Sequence, residues 1–176
     1  FDVTEVIKRK DVKLDIFKKL IAKGSIVRAI PSPKTSLKSR SFFDEFNNWA
    51  IEEGAKGLGY ITFEKKDEKI IGKGPIAKFF SEKAIAELIK ICNLKENDSV
   101  FFSCDARKNA ERISGLVRQK LGQELNLIDN NKFEFCWIVD FPMYEMDENG
   151  KIDFSHNPFS MPQGGMNDLE TKNPLE

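Results

Sequence analysis

The alternation of apolar and polar positions divides this chain into two regions with different organisation. From Leu14 to Lys23 the apolar residues fall at helical spacing, and Gly24 stops the segment. Ser25–Ile30 (SIVRAI) alternates like a strand until Pro31-Ser32-Pro33 breaks it, and residues 31–40 read as a polar loop or helix entry. Phe42, Phe46, Trp49 and Ala50 then return to helical spacing, closed by Gly54. Leu58–Glu64 is a second expected strand, followed by a charged turn at Lys65–Lys69. Ser81 has the chemistry of an N-cap for a helix burying Ile85, Leu88, Ile89 and Cys92. Ser99–Cys104 (SVFFSC) is a third strand. Asp105 is the expected cap of a long helix whose apolar face is Ala106, Ala110, Ile113, Val117 and Leu121, with Gly122 as its stop.

Beyond residue 128 the pattern changes. In Phe133–Phe141 (FEFCWIVDF) every odd position is Phe, Trp or Val, a strict period of two that predicts a strand, with a mixed second face. Asp147-Glu148-Asn149-Gly150 is a hairpin signal, because Asn-Gly supplies the positive φ of a type I′ turn. Ile152 and Phe154 alternate on the return strand, which carries His156 to its end. Two strands alone are marginal, so this region reads as a hairpin lacking the rest of its sheet. The expected fold is α+β: residues 1–128 form a two-layer domain with helices on one face of a small mixed or antiparallel sheet, and residues 129–176 form a second module.

Composition adds a seam to this picture. The chain is neutral, with 28 Lys+Arg against 28 Asp+Glu, but residues 1–128 carry 25 basic and 18 acidic side chains and residues 129–176 carry 3 and 10. The basic region could attract a polyanion such as RNA, although 22 of the cations are lysines diluted among acids, as on an ordinary solvated surface. At 40% hydrophobic and 32% charged residues the chain is neither disordered nor fibrous, and no apolar run approaches the ~20 residues of a membrane span. The first residue is Phe1 rather than Met, which suggests a fragment of something longer.

Candidate chemistry is sparse. Cys92, Cys104 and Cys136 are odd in number and lack C-x-x-C spacing, which argues against a disulfide framework and a zinc site and fits a reducing cytosol. Gly72-x-Gly74 and the Gly54/Gly57/Gly59 cluster match neither phosphate-loop pattern and read as turns. The single histidine, His156, has no nearby nucleophile to form a triad. At a strand end it can donate to a carboxylate or phosphate with Asn157 orienting it, or it can be a surface histidine in a tight turn before Pro158. The residues alone leave both readings open.

The segment FCWIVDFPMYEMDENGKIDFSHNPFSMPQGG closely resembles bacterial aspartyl-tRNA synthetases, where a DFPMFE strand and an HHPF or HNPF turn follow a large insertion called the GAD domain. AKGLGYI (55–61), GPIAKFF (74–80), VFFSCDARKNA (100–110) and SGLVRQKLGQEL (114–125) are similar to that insertion. The resemblance covers essentially the whole chain. It implies that residues 1–128 are the GAD domain and that 129–176 contribute a hairpin to the class II catalytic sheet. The parent would be a cytoplasmic, homodimeric ligase that activates L-aspartate with ATP and Mg²⁺ and transfers it to tRNA, with no membrane involvement. None of the three class II motifs and no anticodon-binding OB-fold is recognisable in the sequence. The resemblance therefore implies no catalytic, cofactor-binding or metal residue here. By the same resemblance His156 contacts the substrate aspartate, and Asn157 replaces the family's more common second histidine as a possible support. Two other settings for a GAD domain are a subunit of a tRNA-dependent amidotransferase and an autonomous interaction module.

Overall fold

A computed structural model describes residues 1–156, 159 and 161–175 of the chain. It divides into two compact units, Phe1–Asp129 and Asn130–Glu176. In the first unit the elements run α1 (Thr4–Lys8), α2 (Asp15–Ile21), β1 (Ile26–Ser32), α3 (Arg40–Glu52), β2 (Gly59–Lys66), β3 (Lys69–Lys73), a 3₁₀ turn at Ala77–Phe79, α4 (Glu82–Cys92), β4 (Ser99–Asp105) and α5 (Arg107–Glu124). The sheet order is β1-β4-β2-β3, and every pairing is antiparallel.

The α+β class is as expected, but the helices cover both faces of the sheet rather than one. All seven residues of β4 are buried. Side chains alternate across a strand, so a strand buried throughout needs cover on both sides. Val100, Phe102 and Cys104 join Val27, Ala29, Ile61 and Phe63 against α1, α2 and α4. Phe101 turns the other way and joins Ile30 and Leu58 beneath α3 and α5, where Phe43, Phe46, Ile113, Val117 and Leu121 are buried. The Phe101 ring stacks on Phe46 at 5.2 Å and meets Phe43 at 5.6 Å, while Phe43 stacks on Tyr60 at 4.1 Å. In SVFFSC the consecutive Phe101 and Phe102 serve separate cores, a division that one-faced packing could not accommodate.

Both sheet edges are partly protected. The N-terminal segment lines β1, with Val3 N–H donating to Val27 O at 3.0 Å and Ala29 N–H donating to Phe1 O at 2.9 Å. On the other side β2 folds back into β3 through a two-residue turn, Asp67-Glu68, with φ of 47° and 64°. The sequence reading placed a charged turn here and missed β3, whose five residues KIIGK offer too short a run to reveal alternation. Lysines at both ends of β3 discourage edge-to-edge pairing. Gly72 on this strand has a packing reason. A Cβ there would lie 2.8 Å from Ile85 Cδ1 and 3.1 Å from Ile61 Cγ2, so glycine allows α4 to approach the sheet.

The helix ends follow local chemistry with two differences from expectation. Ser81 caps α4 as anticipated, accepting from Ala84 N–H at 3.1 Å, and its hydroxyl also donates to Asp11 at 2.6 Å. Asp11 in turn receives two hydrogen bonds from Arg9, which reaches Glu87 on α4 at 2.6 Å. Gly24 and Gly54 end α2 and α3 with positive φ of 93° and 89°. Gly122, in contrast, lies inside α5. The left-handed residue there is Asn126 (φ 52°), which donates to Gln123 O, while Leu127 donates back to Gly122 O at 2.9 Å. That is a Schellman ending with asparagine in the usual place of glycine.

Asp105 is not the cap of α5; the N-cap position is Ala106, with no side-chain cap bond. Its carboxylate instead collects Lys56 Nζ at 2.6 Å, Asn109 Nδ2 at 2.8 Å and Ala106 N–H at 2.8 Å. Asn109 also donates to Gly54 O, and Arg112 donates to Glu53 O at 2.5 Å. The AKGLG loop is thus tied to the start of α5 by polar side chains. Burial would raise the Asp105 carboxyl's pKa, but the bonds from Lys56, Asn109 and Ala106 and the lysine charge outweigh it, and the net position lies below the ordinary carboxylate value.

Two outcomes follow from this packing. Phe101→Ala, which empties the centre of the α3/α5 core, should cost about 3–5 kcal/mol of unfolding free energy in denaturant titration. Because the folded carboxyl of Asp105 is depressed, the stability linked to it is present above the unfolded value near 4 and disappears as pH falls through the folded value. Asp105→Asn should therefore lower the thermal midpoint at neutral pH, and the gap from wild type should narrow on acidification below about pH 4. A gap independent of pH would show that the charge of Asp105 is not what ties the loop.

Candidate functional site

The second unit contains β5 (Tyr144–Met146), β6 (Ile152–Phe154) and α6 (Gly165–Thr171). β5 and β6 pair antiparallel, Tyr144 opposite Phe154, with the two rings stacked at 5.0 Å. The hairpin forms where the sequence places it, but its turn differs. Of Asn149 and Gly150 only Gly150 has positive φ (76°), so the type I′ geometry is absent. Gly150 N–H donates to Asp147 O and Asp147 N–H donates to Lys151 O, giving a tight turn followed by a left-handed glycine. The Asp147 carboxylate explains the choice, since it accepts from the amides of Asn149 (2.9 Å) and Lys151 (2.7 Å).

Residues 133–141 form no strand among the described residues. Phe135 and Trp137 are each 96% exposed, and Phe133 86%. A period-two pattern states which side chains share a face, but a strand exists only if a neighbour takes up its backbone bonds. The β5–β6 ladder is the unit's only one among the described residues, and it does not extend to this segment.

His156 lies two residues beyond β6 and is half-buried. The Phe141 ring meets the imidazole edge-on, with centroids 4.8 Å apart and planes at 89°. Ser155 Oγ lies 3.0 Å from His156 Nδ1, and the Ser155 hydroxyl donates to Pro142 O. A hydroxyl has one proton, so with that proton directed at Pro142 the imidazole donates from Nδ1 to Ser155. Nε2 is then an acceptor in the neutral ring and a donor only in the imidazolium. Ser155 N–H donates to Met143 O at 3.0 Å, which holds this stretch beside the chain entering β5. The sequence reading named His156 but not Ser155 or Phe141, the two residues that orient it. Asn157, its expected support, lies outside the described residues.

A groove of about 480 Å³ lies in the same unit, lined by Phe141, Tyr144, Gln163, Asp168 and Lys172 among others. His156 is not part of its lining; the two are connected through Phe141 and through Ser155, which bonds to Pro142 and Met143 of the groove. Asp140 accepts from Gln163 at 2.7 Å, and Lys172 is tied to Asp168 at 2.5 Å. With its one lining cation engaged by a carboxylate, the groove does not fit a nucleoside triphosphate. No group of three His, Cys, Asp or Glu able to hold a metal occurs among the described residues, and no described helix is long and apolar enough to cross a membrane. Cys92 and Cys104 are buried, and burial pushes both thiols up to about 11, so they behave as small core residues.

The family model for the GAD domain matches residues 17–114, more than half of the chain, and the chain belongs to that family. The similarity to known proteins continues through the second unit. The chain is 51% identical over 175 residues to the aspartate–tRNA(Asp/Asn) ligase of Beijerinckia indica and 49% identical over 175 residues to that of Pelagibacter ubique. It is 52% identical over 177 residues to the corresponding ligase of the Wolbachia of Brugia malayi. Each alignment takes in 99% of this chain and 29% of the relative, so the chain spans less than a third of the ligases it matches.

The histidine geometry is testable without any activity. Ring-nitrogen NMR of the neutral imidazole should show the proton on Nδ1 in the wild type and on Nε2 in Ser155→Ala. An Nε2 proton already in the wild type would contradict the arrangement.

Proposed function

We propose that this chain is part of an aspartate–tRNA ligase, with residues 1–128 as its GAD insertion and 129–176 as a segment of its class II catalytic domain. The parent activates L-aspartate with ATP and Mg²⁺, then esterifies tRNA(Asp), and by the naming of the relatives tRNA(Asn) as well. Its setting is a cytoplasmic homodimer. The observation that carries the proposal is the near-50% identity that runs across both units to ligases alone among the relatives described. A GAD-bearing amidotransferase subunit or an autonomous interaction module would require similarity only in the first unit, where the GAD match lies.

In this reading His156 contacts the substrate aspartate. Ser155 and Phe141 hold its ring, and Nε2 faces the ligand as the free nitrogen. An imidazolium there would donate to the aspartate carboxylate, a bond made by preorganisation rather than at the moment of reaction. The exposed alternating residues 133–141 would add to a sheet supplied by the rest of the catalytic domain, which accounts for an apolar face without a neighbour. ATP and Mg²⁺ would bind residues of the parent outside this chain.

The chain itself should show no aspartate-dependent pyrophosphate exchange, because the second unit contains no arginine, and its described residues no metal site, with which to stabilise the transferring phosphoryl charge. The full-length protein should exchange pyrophosphate with aspartate and charge tRNA. Full-length protein inactive with aspartate would sink the proposal. In the full-length protein His156→Ala should lower kcat/KM for aspartate by about 1–3 kcal/mol with little change in thermal midpoint. Unchanged aspartate kinetics with a lowered midpoint would make His156 a structural residue.

A further inference from the structure

The first unit's surplus of positive charge is concentrated. Residues 8–23 and 78–83 together hold nine Lys or Arg against three Asp or Glu, in a region of 128 residues whose whole excess is seven. The fold joins these two segments. Lys13 N–H donates to Phe79 O at 2.7 Å, Ser81 N–H donates to Asp11 O at 3.2 Å, and Val12 bridges to Phe80. Six of the lysines, Lys10, Lys13, Lys19, Lys23, Lys78 and Lys83, are exposed and appear in no ion pair among the described residues. Lys19 lies on α2 with Ile16, which is 71% exposed, Lys23 follows just beyond the helix end, and Lys78 lies over the half-buried Phe79 ring at 5.2 Å.

Of the three acids in these two segments, one is committed to local partners, as is the neighbouring Glu87. Asp11 is held by Arg9 and Ser81, and Glu87 by Arg9. Elsewhere in residues 1–128 the charges nearly balance, 16 Lys or Arg against 15 Asp or Glu, and several cations are neutralised locally, as with Lys65 by Glu68, Lys73 by Glu64, Arg107 by Glu111 and Lys120 by Glu124. The contrast marks the α1–α2 side, continued by residues 78–83, as the face with uncompensated positive potential. Flexible, unpaired lysines act as point charges suited to a phosphate backbone rather than to a shaped pocket.

We propose that this face, formed by the loop 9–14, α2 and residues 78–83, binds the phosphate backbone of RNA without reading its bases. The choice of RNA among polyanions rests on the ligase reading above; the charge distribution that carries the surface does not. The contact would let the insertion hold a tRNA that the catalytic domain acylates.

The test uses the 176-residue chain with a short labelled RNA hairpin of unrelated sequence, followed by fluorescence anisotropy over a range of salt concentrations. Wild type should bind with log K falling steeply and linearly against log[salt]. Replacing Lys10, Lys13, Lys19 and Lys23 together by Ala should weaken binding at least tenfold at about 50 mM salt and reduce the slope by roughly three, since each lost phosphate contact removes about 0.7–0.9. Lys66→Ala with Lys69→Ala, at the β2–β3 turn, should leave both affinity and slope unchanged. Thermal midpoints of both variants should match wild type, because the replaced side chains are exposed. No RNA binding at low salt, equal losses in the two variants, or binding to anionic phospholipid vesicles in place of RNA would overturn the proposal. None of these measurements involves aspartate or ATP, so this proposal can fail while the ligase activity of the parent stands.

Discussion

The burial of β4 on both faces is the constraint from which the first unit is built. A seven-residue strand with no exposed position cannot lie at an edge or beneath one helical layer. It has β1 on one side and β2 on the other, and its alternating side chains demand a core above and below. α1, α2 and α4 supply one core, and α3 with α5 the other. The polar end of β4 then finds its own role. Asp105 emerges at the sheet's margin, where it ties Lys56 and Asn109 and so positions the AKGLG loop between α3 and β2.

This organisation explains why the two units present such different surfaces. In the first, most of the large apolar side chains are buried in its two cores, although Ile16 and Leu37 are exposed. In the second, a hairpin of two three-residue strands and a seven-residue helix leave Phe133, Phe135 and Trp137 in solvent. The chain spans 29% of a relative such as the Beijerinckia indica ligase, and under the proposed function the sheet of the catalytic domain would take up this alternating segment.

Much of the fold was legible in the sequence, and the failures have physical causes. Helical faces with several apolar repeats, such as Ile113, Val117 and Leu121, emerge because 3.6-residue periodicity accumulates over three turns or more; on α3 the expected Phe46 and Ala50 are buried, but Phe43 is buried with them while Phe42 and Trp49 are only half-buried. β3 was hidden because five residues with a glycine carry no such signal. The cover on both faces was written in the adjacency of Phe101 and Phe102, but an all-apolar run states burial without stating what buries it. Asp105 was misassigned because Asp before a helix is usually a cap; a lysine nearly fifty residues away in sequence claims it instead. At the candidate site His156 was legible as the only histidine. Ser155 and Phe141 carry no motif of their own and become visible only once the hairpin brings them to the ring.

The division between a self-sufficient first unit and a second that depends on other chain is the central claim, and native-state hydrogen exchange of the 176-residue chain tests it directly. Amides of Val100–Phe102 in β4 and Ala110–Leu121 in α5 should exchange only through global opening, while those of 133–141 and of 152–156 should exchange orders of magnitude faster. Equal protection in the two regions would contradict the account, because it would mean that the second unit has a stable core of its own.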